Sequence, residues 1–113
     1  MIGINMDLTD YQKEIPKFAT YPGKDSKEQK ELLYLTLGLA GEAGEFTDKI
    51  KKILRDGTYD EEALKDELGD VLWYLSRLAW FFNSDLEGLA LRNYIKLSDR
   101  AKRGVLKGSG DTR

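Results

Sequence analysis

Two stretches of this chain, residues 27–54 and 60–82, repeat apolar side chains every three to four residues, and only a short loop separates them. That spacing matches the α-helical period, and a short connection returns the second helix antiparallel to the first. At about 100° per residue, Leu32, Leu35, Leu39, Ala43, Phe46, Ile50 and Ile53 gather on one face of the first stretch. Leu68, Val71, Leu72, Leu75, Leu78, Ala79 and Phe82 do the same on the second. A long helical hairpin is therefore the frame on which the rest of the chain must be built.

Two shorter helical segments flank it, near residues 9–19 and 85–101. Each of the four segments is preceded by a Ser or Thr with Glu or Gln three positions later, the capping-box signature. The pairs are Thr9/Gln12, Ser26/Gln29, Thr58/Glu61 and Ser84/Glu87. Tyr21-Pro22-Gly23 separates the first helix from the second, and Gly57 is placed to end the second as its C′ residue. No strand alternation or internal repeat stands out, and residues 102–113 read as a polar loop. The expectation is a single all-α domain over residues 1–113, a four-helix bundle-like subunit whose long antiparallel hairpin carries the functional residues. Trp73 and Trp80 fall on the side of the third helix away from its acidic border, with Gly69 and Ser76 between them. Apolar surface on nearly all sides of one helix calls for a homo-oligomer interface, in preference to extra packing against the first or fourth helix.

The acidic border carries the chemistry. Glu42 and Glu45 flank the apolar stripe of the second helix, with Lys49 and Lys52 beside them; Glu67 and Asp70 flank that of the third, with Tyr74 and Arg77. At 1.5 Å rise per residue, Glu45 and Glu67 lie roughly 14 and 10 Å from the turn, so both pairs reach about the same height. Four converging carboxylates repel one another, and a cation resolves the repulsion. The chain has no His and no Cys, which removes imidazole bases, thiol nucleophiles, ordinary zinc sites and ferritin-like di-iron ligation. A metal held only by carboxylates is hard: Mg²⁺, Mn²⁺ or Ca²⁺. Gly38, Gly41 and Gly44 beside the first pair cost a helix roughly 1 kcal/mol each, which points to close approach of a ligand or another backbone. Acidic pairs three apart are equally the mark of a solvated helix face, and the spacing alone leaves that alternative open. A net charge of −2 argues against binding a nucleic-acid polymer. Without Cys, a signal-peptide layout at residues 1–14 or a membrane-length apolar run, a cytoplasmic setting with no membrane partner is expected.

The segments Gly38-Leu39-Ala40-Gly41-Glu42-Ala43-Gly44-Glu45 and Lys65-Asp66-Glu67-Leu68-Gly69-Asp70-Val71-Leu72-Trp73-Tyr74-Leu75 make this chain resemble a known family. It is the MazG-like branch of the all-α nucleoside triphosphate pyrophosphohydrolases, a group that also includes dimeric dUTPases. The family's E-x-x-E and E-x-x-D metal pattern matches Glu42, Glu45, Glu67 and Asp70 without departure. The similarity extends through Tyr11-Gln12, Tyr21-Pro22-Gly23, Asn93, Lys96-Leu97, Arg100, Arg103-Gly104 and Gly110 to Arg113. The resemblance implies Mg²⁺-dependent hydrolysis of a nucleoside triphosphate to the monophosphate and pyrophosphate by a dimer or tetramer, with Mn²⁺ as an alternative ion. Glu42 and Glu45 are the expected catalytic carboxylates, Glu45 as the base. Lys49, Lys52, Lys96 and Arg100 are candidates for the phosphate chain, Asn93 for sugar or phosphate, Tyr74 for base or ribose, and Arg113 for a neighbouring subunit's site. The rival from another class is a non-catalytic helical module that binds nucleotide or metal for regulation.

Overall fold

The computed structural model describes residues 4–111 and 113. Its elements are α1 (Leu8–Glu14), a 3₁₀ turn (Ile15–Phe18), α2 (Gln29–Asp56), α3 (Glu61–Phe81) and α4 (Leu86–Arg103). No strand occurs among the described residues.

The helix starts differ from the capping-box reading. The N-caps are Asp7, Glu28, Asp60 and Asp85, one or two residues away from the Ser and Thr of the sequence pattern. Asp7, Asp60 and Asp85 accept from the backbone N–H of Asp10, Ala63 and Gly88 at 2.7, 3.1 and 2.7 Å. A carboxylate facing the positive end of a helix outcompetes a nearby hydroxyl for that place. Only α1 forms a capping box, and it is between Asp7 and Asp10. The first helix is also shorter than its period suggests, because Pro16 lacks an N–H and the chain tightens into the 3₁₀ turn. Gly57 ends α2 as expected, at φ 72° with its N–H on the Ile53 carbonyl.

α2 and α3 pack along their length as the antiparallel hairpin. Leu35, Leu64 and Ala79 are its buried apolar residues, and Ala19 and Tyr21 from the preceding segment close over Leu35. The stripe is incompletely covered, since Leu68 and Phe82 are 52% and 64% exposed. α4 does not close a four-helix bundle within the chain. Its start is tied down by buried Leu86, whose N–H donates to Gln12 Oε1 at 2.6 Å, and by Thr9 Oγ1 donating to Glu87 at 3.1 Å. Beyond that the helix leaves the hairpin, and residues 89–97 are all exposed. The radius of gyration is 17.1 Å, against about 13 Å for a compact domain of ~100 residues.

A buried polar knot joins the 21–28 loop to both hairpin helices. Glu31, wholly enclosed, accepts from the Tyr21 hydroxyl at 2.5 Å and from the backbone N–H of Asp25 and Lys27, both at 2.8 Å. Arg77, 2% exposed, donates to the Tyr21 hydroxyl and to Asp25 Oδ1, both at 2.8 Å, and lies 3.4 Å from Glu31 Oε2. Holding Asp25 and Lys27 at φ 63° and 55° costs an L-residue roughly 1–2 kcal/mol each, and the two hydrogen bonds to Glu31 supply the reason they stay there. The tryptophans meet partners inside this chain: Trp73 packs edge-on to Tyr21 and Tyr74, and Trp80 carries the Arg77 guanidinium over its ring at 4.3 Å. The face first assigned to an oligomer interface is thus partly covered by the chain's own 21–28 loop. No helix among the described residues is long and apolar enough to cross a membrane.

Candidate metal centre

The antiparallel register brings residues of opposite helices level, as the rise per residue requires. Glu42 of α2 meets Glu67 and Asp70 of α3, with one carboxylate oxygen from each lying within 4.8 Å of the others. Glu45 is exposed and stands outside this trio, although its charge still acts on Glu42. Burial, then the facing Glu67 carboxyl and the charges of Asp70, Glu67 and Glu45, push the Glu42 carboxyl above its ordinary pKa. Asp70 is raised as well, by burial first and then by the charges of Glu67 and Asp66.

Glu67 is the informative member. Its Oε1 has Lys49 Nζ at 3.6 Å, whereas Oε2 is buried with no hydrogen-bond partner. Buried polar atoms are nearly always satisfied, and an orphan carboxylate oxygen is costly. A cation among these three carboxylates would satisfy it, and an all-oxygen donor set suits Mg²⁺ or Mn²⁺. The residues present therefore fit the hard divalent ion that the sequence pattern implies.

Tyrosines border the trio on the side away from the hairpin turn. Tyr74 is one turn beyond Asp70, and its ring lies against the α2 backbone at Gly38. A Cβ there would stand 2.1 Å from the ring, so the residue must be glycine for Tyr74 to sit where it does. Gly41 and Gly44, by contrast, have nothing within 4 Å of an added Cβ. Of the three glycines read as a sign of close approach, one makes an approach within the chain. The Tyr74 phenol is raised in pKa by burial, by the neighbouring Tyr34 and by the charges of Glu42 and Asp70. Tyr11 of α1 is raised by burial and by Asp70, which puts it beside the same cluster. No spacing rule links α1 to the hairpin, so Tyr11 stood out in the sequence only through the family pattern.

The candidate phosphate contacts divide into two sets. Lys49 reaches Glu67, and Lys52 pairs with Asp48 at 2.9 Å, on the hairpin and toward its turn. Asn93, Lys96, Arg100 and Arg113 are not brought to the carboxylates. Lys96 and Arg100 hold Asp111 at 3.2 and 3.1 Å, and Arg100 is buried beneath the chain end. Arg113 donates to the carbonyls of Val105, Gly110 and Leu106 at 2.9, 2.5 and 3.1 Å. Residues 104–111 and Arg113 are thus a loop held against the end of α4, which itself runs on to Arg103. Asn93 and Lys96 line a hollow of about 480 Å³ on exposed α4. Arg77, placed on the acidic border by its helical angle, belongs to the buried knot instead.

Comparison with known proteins is consistent with this geometry. The family model for the MazG nucleotide pyrophosphohydrolase domain matches residues 30–105, a span that includes all four carboxylates. The Gene 37 protein of Mycobacterium phage L5 is 45% identical over 114 residues, covering 96% of this chain and 100% of that one. No solved structure matches significantly.

Proposed function

Because this chain belongs to the MazG nucleotide pyrophosphohydrolase family, we propose that it hydrolyses a nucleoside triphosphate to the monophosphate and pyrophosphate, as a single domain requiring Mg²⁺. The observation that carries this is the carboxylate trio with its unsatisfied Glu67 oxygen. Glu42, Glu67 and Asp70 would hold the ion, with Glu45 turning in as a fourth ligand or remaining free. When bound, Mg²⁺ neutralises phosphate charge and lowers the pKa of water, and Mn²⁺ can do the same. Glu45, outside the trio and in water, is suited to take a proton from the attacking water, since a carboxylate not occupied as a ligand has its oxygens free to accept one. Lys49 and Lys52 supply the nearest cations for the phosphate chain, and Tyr74 meets the nucleoside. Lys96, Arg100 and Arg113 would have to give up Asp111 or the backbone carbonyls before they met substrate.

Self-association as a dimer or tetramer is part of the proposal. Its support is the open shape together with apolar side chains lacking cover: Leu33 and Leu37 on α2 are 53% and 71% exposed, and Leu91, Tyr94 and Ile95 on α4 are 58%, 70% and 58% exposed. Such faces need a partner in water.

Incubation with the eight common NTPs and dNTPs plus Mg²⁺ tests the reading, with monophosphate and pyrophosphate as the products to detect. Glu42→Ala should cut turnover at least ~100-fold, a loss of about 2.7 kcal/mol of transition-state stabilisation, and leave the helical circular-dichroism signal intact. A folded wild-type protein that turns over none of the eight would sink the enzymatic reading. Nucleotide binding without product would favour a regulatory module.

A further inference from the structure

α1, the 3₁₀ turn, the last turns of α3 and the residues leading into α4 line a pocket of about 230 Å³. None of its lining residues belongs to the carboxylate trio. Two of them, Ser76 and Trp80, lie roughly 9 and 15 Å along α3 from Asp70, and about 80–120° round the helix from it. The pocket is therefore a separate place on the molecule.

One lining residue is a buried cation with a donor to spare. Arg77 is 2% exposed, and its Nε and Nη2 are taken up by Tyr21, Asp25 and Glu31. Its Nη1 has no hydrogen-bond partner among the described residues, although buried N–H groups are nearly always satisfied. Nor is Nη1 sealed in: among the described residues only Glu67 Oε2 is both unpartnered and closed off from solvent. Since Arg77 lines the pocket, that is the space Nη1 has to face. Two further donors border the same space. Gln12 accepts the Leu86 N–H on its Oε1, which leaves its Nε2 to donate. Lys13 is exposed and has no ion pair among the described residues. The single acid on the lining, Asp85, already accepts from the Gly88 N–H. The rest of the wall is apolar, from Ile15, Pro16 and Trp80.

Three donors, two of them charged, call for a group that only accepts, and a carboxylate does so on both oxygens. The apolar wall calls for a hydrocarbon body beside that group. A cavity of about 150 Å³ takes one benzene ring, so this pocket has room for a ring and one small substituent. We propose that it is a second binding site, for a small ring-bearing carboxylate of the size of benzoate. The ring lies against Ile15, Pro16 and Trp80, and the carboxylate meets Arg77 Nη1, Gln12 Nε2 and Lys13 Nζ. This site stands independently of the pyrophosphohydrolase reading.

Benzoate itself is the probe, titrated at fixed pH and ionic strength into ¹⁵N-labelled protein, with benzamide and inorganic phosphate as its neutral and ring-free counterparts. With about nine non-hydrogen atoms, benzoate should bind in the millimolar range or tighter. It should shift the indole N–H signal of Trp80 more than that of Trp73, and raise Tm as a ligand of the native state must. Benzamide and phosphate should each bind at least tenfold more weakly. Gln12→Glu keeps an acceptor for the Leu86 N–H and replaces the spare donor with a like charge, so it should weaken benzoate at least tenfold. Lys13→Ala, an exposed change that leaves the packing alone, should weaken it several-fold. Benzamide or phosphate binding as tightly as benzoate, an affinity indifferent to either substitution, or a Trp80 signal that stays in place would each overturn the proposal.

Discussion

Glu31 and Glu67 are both shielded carboxylates on the inner sides of the hairpin helices, yet their surroundings differ in kind. Glu31 is wholly enclosed and receives three hydrogen bonds at 2.5–2.8 Å, with the Arg77 guanidinium alongside. Glu67 faces two other carboxylates, has one lysine at 3.6 Å and leaves Oε2 with nothing. A satisfied buried charge is a structural tie; removing its partner exposes the cost of its burial. An unsatisfied one marks a place where stability has been surrendered to a ligand. The knot and the cluster should therefore answer opposite mutations with opposite signs.

The largest expected effect is at the knot. Arg77→Ala strips Glu31 of its countercharge and leaves Tyr21 and Asp25 without their donor. Loss of one member of a buried pair costs about 3–5 kcal/mol, which a shift of the urea midpoint would register at unchanged m-value. A loss below about 1 kcal/mol would mean that the loop and Glu31 do not depend on Arg77, and the contrast with the cluster would collapse.

Tyr21→Phe is a smaller cut at the same place. It removes one hydroxyl that donates to Glu31 and accepts from Arg77, for an expected loss of about 1–3 kcal/mol. It also has a pH signature. Burial and the hydrogen bond to Glu31, opposed by Arg77, push the Tyr21 phenol up to about 12 from its ordinary value of 10.0. Between those values the unfolded chain releases the proton and the native chain keeps it, so stability falls as pH rises. The Tyr21 contribution is fully present below about pH 10 and lost toward 12. Melting curves in that window should converge for wild type and Tyr21→Phe; a gap that widens with pH would contradict the assignment.

The cluster and the knot also differ in how far the sequence reveals them. Glu42, Glu67 and Asp70 could be placed at one height because 3.6 residues per turn and a 1.5 Å rise are properties of any helix, and one short loop fixed the direction. The same periodicity put Arg77 on the acidic border, where its helical angle is right and its partners are not. Those partners lie 46 to 56 residues away, Glu31 in the first turn of α2 and Tyr21 and Asp25 in a loop whose path no local rule specifies. The caps shifted by a residue or two for a simpler reason: Asp competes with Ser and Thr for the same N–H groups. The course of α4 was hidden as well. Its apolar residues fix which face needs cover, whereas the identity of the covering surface is not written in the helix itself.

The smallest effect is the most diagnostic, because its sign should be reversed. Asp70→Asn deletes one like charge from the trio, and no ion pair to Asp70 occurs among the described residues. Its carboxyl is partly in water and its repulsions are screened, so the metal-free protein should gain only about 0.5 kcal/mol. For a chain of this length that corresponds to a rise of roughly 2–4 °C in Tm measured with chelator present. The same variant should lose the Mg²⁺-dependent rise in Tm that an ion binding only the native state confers on the wild type. A carboxylate kept for structure would behave otherwise: its removal would lower the metal-free Tm and leave any effect of Mg²⁺ unchanged. Crossing the two melts, with and without the ion, therefore separates a destabilising ligand site from a structural acid on a single substitution.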